Sequence, residues 1–180
     1  VGLYEKAIAE HSRSLKIFQS VLGNDNLDTA RSMANLAAIY TLQKKFSEAD
    51  ELYRKVIAIR EAKLGPEHPD LALTLMSLGL TLQQARRFDE SRQLIERSLQ
   101  IRRTSVGENT PPVADSLLAL GFLALREQKT KEATKQFQEV LAVRTRALPA
   151  GHPDFAVAHN YLAMTHVVEK EWQAAADEFD

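Results

Sequence analysis

The 180 residues contain no cysteine. That absence removes disulfides, thiolate zinc sites and cysteine nucleophiles together, and it fits a reducing, cytoplasmic compartment. An excess of either charge is also missing: 23 Lys and Arg against 24 Asp and Glu leave a formal net charge of -1, with the two signs interspersed. There is therefore no basic footprint for nucleic acid and no polybasic anchor for a membrane. No apolar run approaches the roughly 18 residues of a membrane span, and no signal-peptide pattern opens the chain. Ser-His-Asp constellations, Gly-rich phosphate loops and paired-carboxylate motifs are lacking as well. The expectation is a protein without catalytic residues or cofactors, and not an enzyme. What remains, 44% hydrophobic and 26% charged, is the composition of a folded globular chain long enough for one domain with a core. The chain opens at Val1 and stops at Asp180 inside an unfinished helical pattern, which reads as an excerpt of something longer.

What is present is a repeat. Sliding the sequence against itself by 42 residues brings like onto like along the whole chain. Leu22-Gly23, Leu64-Gly65 and Val106-Gly107 fall in register, with Leu148 as a fourth member. Ala30, Ala72, Ala114 and Ala156 coincide, and Leu36, Leu78, Leu120 and Leu162 each precede a small residue, Ala37, Gly79, Gly121 and Ala163. Later in the period Tyr4, Phe46, Phe88, Thr130 and Trp172 stand three positions before Ala7, Ala49, Ser91, Ala133 and Ala175, and Ile59-Arg60, Ile101-Arg102 and Val143-Arg144 recur near its end. The expected organisation is the second helix of a preceding repeat over 1–21, repeats over 22–63, 64–105 and 106–147, and an incomplete repeat over 148–180, all in one solenoid domain.

Within each period the apolar residues recur at helical spacing in two blocks, such as Ala72, Leu75, Leu78, Gly79 and Leu82, then Phe88, Ser91, Ile95, Leu99 and Ile101. A short polar stretch such as Gln84-Ala85-Arg86-Arg87 separates them, a length that makes neighbouring helices antiparallel. Strand signals are missing. The spacing predicts first helices over 28–42, 69–85, 112–127 and 153–168, and second helices over 4–20, 46–62, 88–104, 130–146 and 172–180. Gly79 and Gly121 fall inside first helices, where glycine costs about 1 kcal/mol against alanine. Close approach of a neighbouring helix is the expected return.

Leu36-Ala37-Ala38-Ile39-Tyr40 followed by Phe46-Ser47-Glu48-Ala49-Asp50-Glu51-Leu52-Tyr53 resembles the tetratricopeptide repeat. The 42-residue length and the linker Leu64-Gly65-Pro66-Glu67-His68-Pro69-Asp70 resemble its kinesin light chain type. The resemblance implies an all-α, right-handed superhelical solenoid of antiparallel helix pairs, with the first helices lining a concave groove and protein–protein interaction as the function. Read by register, the partner-binding groove comprises Asn35, Leu73, Met76, Leu80, Leu118, Phe122, Arg126, Asn160, Tyr161 and Met164. Leu80, Leu118, Phe122 and Met164 are apolar beyond what helix pairing needs, and exposed apolar clusters mark partner sites. The expected ligand is a peptide or helix of a protein partner, with Asn35, Arg126 and Asn160 as polar anchors. Ala34 and Ala38 stand where chaperone-tail binders of the family carry Lys and Asn, and the groove has few of the Asn and basic positions with which kinesin light chains take acidic cargo. A second reading is a regulatory array of a larger multidomain signalling enzyme, holding or releasing a kinase, protease or nucleotidase domain. Self-association through exposed end helices is a further partner mode.

Two tripeptides invite a chemical reading. His68-Pro69-Asp70 returns as His152-Pro153-Asp154, and such a triplet is also the hallmark of J-domain co-chaperones. Register decides against chemistry, because the same slot holds Asn26-Leu27-Asp28 and Thr110-Pro111-Pro112. Proline suits the first helical position, Asn and Thr before it are good N-caps, and an acid in the first turn suits the helix dipole. His159 and His166, seven residues apart, take core slots held elsewhere by Met33, Leu75 and Leu117, and by Tyr40, Leu82 and Ala124. A zinc- or pH-responsive module there would need further ligands. No carboxylate is arranged with them at helical spacing, so no metal site is expected.

Overall fold

The computed structural model describes residues 2–149 and 151–178, and among them nine helices and no strand. They are α1 (Gly2–Leu22), α2 (Leu27–Leu42), α3 (Phe46–Leu64), α4 (Pro69–Gln84), α5 (Phe88–Val106), α6 (Pro111–Arg126), α7 (Thr130–Ala147), α8 (Pro153–Glu169) and α9 (Trp172–Asp177). The periodicity places these bounds to within a turn; Glu178 already lies in a turn, and residues 179–180 are outside the described residues, as is the side chain of Trp172.

The first helices start by capping. Asn26 Oδ1 accepts the Asp28 N–H at 2.8 Å, and Nδ1 of His68 and of His152 accepts the N–H of Asp70 and Asp154 at 3.1 and 3.2 Å. Pro69, Pro111 and Pro153 occupy the first turn, where a missing N–H costs nothing. Thr110 holds the N-cap position of α6 without a capping bond, because its hydroxyl donates to the Gly107 carbonyl at 3.0 Å. Both His-Pro-Asp triplets are therefore helix starts.

The turn inside each helix pair carries a feature that composition conceals. Lys44, Arg86, Gln128 and Lys170 all take left-handed conformations, with φ of 60 to 62°. The N–H of the following residue reaches back to the last helical turn, Lys45 to the Tyr40 carbonyl at 2.9 Å, Arg87 to Leu82 at 2.9 Å, Lys129 to Ala124 at 2.8 Å and Glu171 to His166 at 2.9 Å. This is the Schellman closure, normally built on glycine. A non-glycine residue there costs on the order of 1–2 kcal/mol.

The helices form two compact units, Val1–Ile101 and Arg102–Asp180. In the first unit, Leu15, Ala30, Met33, Leu36, Val56 and Ile59 pack between α1, α2 and α3. Ala37, Ala49, Tyr53, Leu78 and Leu82 join α2, α3 and α4, and Leu71, Ala72, Leu75 and Ile101 join α4 to α5. In the second unit, Ala124, Ala133, Phe137 and Leu162 gather from α6, α7 and α8. Of the recurring first-helix alanines, leucines and the small residues after them, Ala30, Ala72, Ala114, Leu36, Leu78, Leu120, Leu162, Ala37, Gly79, Gly121 and Ala163 are buried, while Ala156 is exposed. In the first unit its counterpart Ala72 lies under Ile101 of α5.

The small residues do bring helices close. A Cβ on Gly79 would stand 2.6 Å from Ile95 Cγ1 and 3.3 Å from the Ser91 carbonyl, whose hydroxyl donates to the Gly79 carbonyl at 2.7 Å. A Cβ on Gly121 would stand 2.8 and 2.9 Å from Cδ1 and Cζ of Phe137, a fully buried ring, and closer still to its Cε1.

The recurring arginine has a distinct role. Arg60 Nη1 donates to the Asp70 carbonyl at 2.6 Å and to Thr74 Oγ1 at 2.5 Å. Arg102 Nη1 donates to the Pro112 carbonyl at 2.6 Å and to Ser116 Oγ at 2.9 Å, and Arg144 Nη1 to the Asp154 carbonyl at 2.9 Å. Each arginine at the end of a second helix thus grips the first turn of the helix that follows. Burial pushes the Arg60 and Arg102 guanidinium groups below their ordinary value, opposed by the Asp70 and Asp115 carboxylates, yet both remain charged because arginine starts so high.

Two outcomes follow from this packing. Gly121→Ala gains helix propensity worth about 1 kcal/mol but overpacks Phe137 by about 1–3 kcal/mol; urea unfolding should show net loss, and a smaller loss when Phe137→Leu is added. Arg102→Met strips a charged donor from the buried Ser116 hydroxyl and the half-buried Pro112 carbonyl, so the same measurement should show a loss of about 2 kcal/mol.

Candidate functional site

On α2, Arg31, Asn35, Ala38 and Leu42 are exposed. On α4 the open positions form one narrow stripe, Leu73, Ser77, Leu80 and Gln84, with Leu73 55% and Leu80 38% exposed. Met76, expected on this face, lies at 8% exposure inside the fold. The reason is that α4 is covered around most of its circumference, its buried residues including Leu71, Leu75, Met76, Leu78, Thr81 and Leu82. The α2 and α4 faces are held together from beneath. Thr41 Oγ1 and Thr81 Oγ1 share a hydrogen bond of 2.9 Å, and the Tyr53 hydroxyl of α3 bonds to Thr41 and Ser77, burial pushing its phenol up.

In the second unit the open stripe of α6 is Asp115, Leu118, Phe122 and Arg126. Phe122 is not a free anchor. Its ring centroid lies 4.7 Å from that of Tyr161 on α8 and 5.5 Å from that of Phe137 on α7, both edge-on, and Phe137 stacks on Tyr161 at 5.4 Å. Leu118, Phe122 and Tyr161 are half-buried against the core they flank. Asn160, Val157, Met164 and Val168 remain exposed on α8. Of the ten sequence-predicted residues, the structure brings Leu118, Phe122 and Tyr161 together, buries Met76, and leaves Asn35, Leu73, Leu80, Arg126, Asn160 and Met164 open to solvent. Val157, Val167 and Val168 belong to the same open surface of α8.

The histidines of α8 have partners that helical spacing does not reveal. His159 Nδ1 lies 2.7 Å from Glu178 Oε2, and His166 Nδ1 lies 2.8 Å from Glu171 Oε2. His166 Nε2 faces Glu178 Oε1 at 3.8 Å. Glu169 completes a group in which the ligand atoms of His166, Glu169 and Glu171 lie within 4.8 Å of one another. The expectation that no carboxylate stands with these rings at helical spacing is corrected by Glu169, three residues after His166 on α8; the other two carboxylates come from the turn after it and the residue following α9.

The helix pairs, the capped first helices and the small-residue contacts define an all-α repeat solenoid. The chain belongs to the tetratricopeptide repeat family, whose model matches residues 1–62, 52–104 and 70–146. Such repeats generally mediate protein–protein interaction, and the scaffold is typically non-enzymatic. Nephrocystin-3 of Homo sapiens is 38% identical over 55 residues, and that of Xenopus tropicalis 36% over 55, which is 31% of this chain and 4% of either relative's length. Among solved structures, BtubC (BKLC) from P. vanneervenii superposes with a TM-score of 0.86 at 20% identity, covering 98% of this chain and 70% of that one. Repeats assigned to a kinesin light chain of Podosopora anserina superpose with a TM-score of 0.86 at 22% identity, covering 99% and 84%. No described helix is long and apolar enough to cross a membrane.

Because Phe122 serves the internal aromatic contact, Phe122→Ala should destabilise by about 2 kcal/mol, less than the roughly 3–5 kcal/mol of a fully buried phenylalanine; thermal or urea unfolding measures it.

Proposed function

We propose that the chain is a protein–protein interaction scaffold that holds a peptide or helix of a partner against its first helices, in the concave, apolar groove that the repeat resemblance implies. One observation carries this reading. Among the described residues, large exposed apolar side chains stand on the first helices α2, α4 and α8 at Leu27, Leu42, Leu73, Leu80, Val157, Met164, Val167 and Val168; of the second helices, α3 and α7 carry none, while α1 carries Tyr4, Ile17, Val21 and Leu22 and α5 ends on Val106. Between α3 and α5 the solvent side is charged instead, with Arg54, Arg87 and Glu90 gathered around Asp50. Apolar surface left in water favours association, and methionine adapts to varied partners. Asn35, Arg126 and Asn160 border these stripes and supply polar contacts that fix direction. The partner is a protein rather than nucleic acid or membrane, in keeping with the balanced charge, and the setting is cytoplasmic.

A second reading places the occupant in the same polypeptide, with the repeats restraining a neighbouring domain of a larger signalling enzyme.

The deciding residues are Leu73 and Leu80 rather than Phe122, whose loss would disturb the fold. For a partner isolated with the full-length protein, Leu73→Ser with Leu80→Ser should weaken binding at least about tenfold, since interface anchors contribute more than about 1 kcal/mol each. Lys55→Ser on α3 should leave affinity unchanged, with helicity constant in all variants. Unaltered affinity in the folded double variant would refute the groove.

A further inference from the structure

The repeat supplies an internal reference for the corner between α8 and α9. Where earlier periods place Tyr40, Leu82 and Ala124, this one places His166, and where they place Met33, Leu75 and Leu117 it places His159. At the turn, Lys45, Arg87 and Lys129 give way to Glu171; on the next helix, Leu52, Leu94 and Gln136 give way to Glu178. Apolar and basic positions have become imidazoles and carboxylates, and all four departures converge in space. Glu169, at the last position of α8, adds a third carboxylate.

The electrostatics of this corner are unbalanced. The His166 side chain is 15% and that of Glu178 21% exposed. Among the described residues no lysine or arginine is paired with Glu169, Glu171 or Glu178. Three carboxylates with two imidazoles leave excess negative charge even if both rings are protonated. Partly sheltered charge of one sign calls for a counter-charge within the cluster.

We propose that His166, Glu169 and Glu171 bind a divalent transition metal ion, zinc in the first instance, with Glu178 as the positioning residue. One imidazole nitrogen with two carboxylate oxygens suits zinc, and water completes the fourth position on the exposed Glu171 side. His166 Nδ1 already points to Glu171, so it is the ligating nitrogen, and Nε2 then turns its N–H to Glu178. A carboxylate behind a ligating imidazole is the usual means of fixing the ring, and His159 holds the other oxygen of that carboxylate. Metal bonds of about 2.0–2.2 Å require donors about 3–3.5 Å apart; the donors now lie within 4.8 Å of one another, His166 and Glu171 already at 2.8 Å, so small rotations of the Glu169 and Glu171 side chains are what the ion requires. The ligands span the left-handed residue Lys170, so the ion fastens the last turn of α8 to the start of α9. This does not depend on the partner-binding reading.

The test uses the untagged full chain, stripped by chelator and dialysed, titrated calorimetrically with zinc chloride and separately with cobalt(II) chloride under visible absorption. One zinc per chain, a raised thermal midpoint and a tetrahedral cobalt spectrum are expected. Glu171→Gln and His166→Asn should abolish all three, Glu178→Gln should weaken affinity about 10–100-fold, and His68→Asn with His152→Asn should change nothing. Glu171 is exposed, so its variant folds whatever happens at His166. Absence of stoichiometric zinc binding, or binding that survives Glu171→Gln and Glu169→Gln, overturns the proposal.

Discussion

A guanidinium at the end of a second helix, bonded to a carbonyl in the first turn of the following helix, is the constraint on which the rest of the architecture depends. Helix pairs close locally through turns of two or three residues, but nothing local tells one pair where to place the next. Within the units Arg60 and Arg144 supply that instruction by gripping Asp70 and Asp154 at their carbonyls, and Arg102 makes the same bond to Pro112 inside the second unit. Arg102 and Arg144 are buried, so their bonds resist salt and solvent. The ion pairs Arg54 to Glu90 and Arg97 to Glu61 are largely exposed and contribute about 0–1 kcal/mol each. The proline starts add pre-organisation at the point where the arginine arrives.

With the first turn fixed, the small residues decide how deep the helices sink. Gly79 against Ile95 and Gly121 against Phe137 leave no room for a methyl group, and that closeness consumes most of the circumference of α4 and α6. Only a narrow stripe on each stays open, which makes those positions surface rather than core. The open stripes of α4 and α6 lie on first helices, where the proposed partner contact falls. In the second unit the stripe is partly closed, because Phe122 and Tyr161 bridge α6 and α8 over Phe137.

Most of the fold is legible in the sequence because a period repeats the same physical problem and shows which solutions are tolerated. The His-Pro-Asp triplets read correctly as caps for that reason, and the glycines as close contacts. Three features escape such reading. Lys44, Arg86, Gln128 and Lys170 adopt φ near 60° without glycine's signal, since the helix-closing bonds of the turn impose the conformation. Met76 is apolar like its exposed neighbours Leu73 and Leu80, and only the covering of α4 separates them. Of the carboxylates beside His159 and His166, Glu171 and Glu178 sit beyond α8, where a search along that helix does not look, whereas Glu169 stands three residues after His166 on α8 itself and is overlooked in the sequence reading.

The placement of the partner contact on first helices is tested most directly by hydroxyl-radical footprinting of the full-length protein with and without its isolated partner. The account predicts that Leu73, Leu80 and Met164 are shielded by the partner while Val21 of α1 and Val106 of α5 label as before. Shielding confined to Val21, Val106 or the second helices, with Leu73, Leu80 and Met164 still labelled, would contradict it.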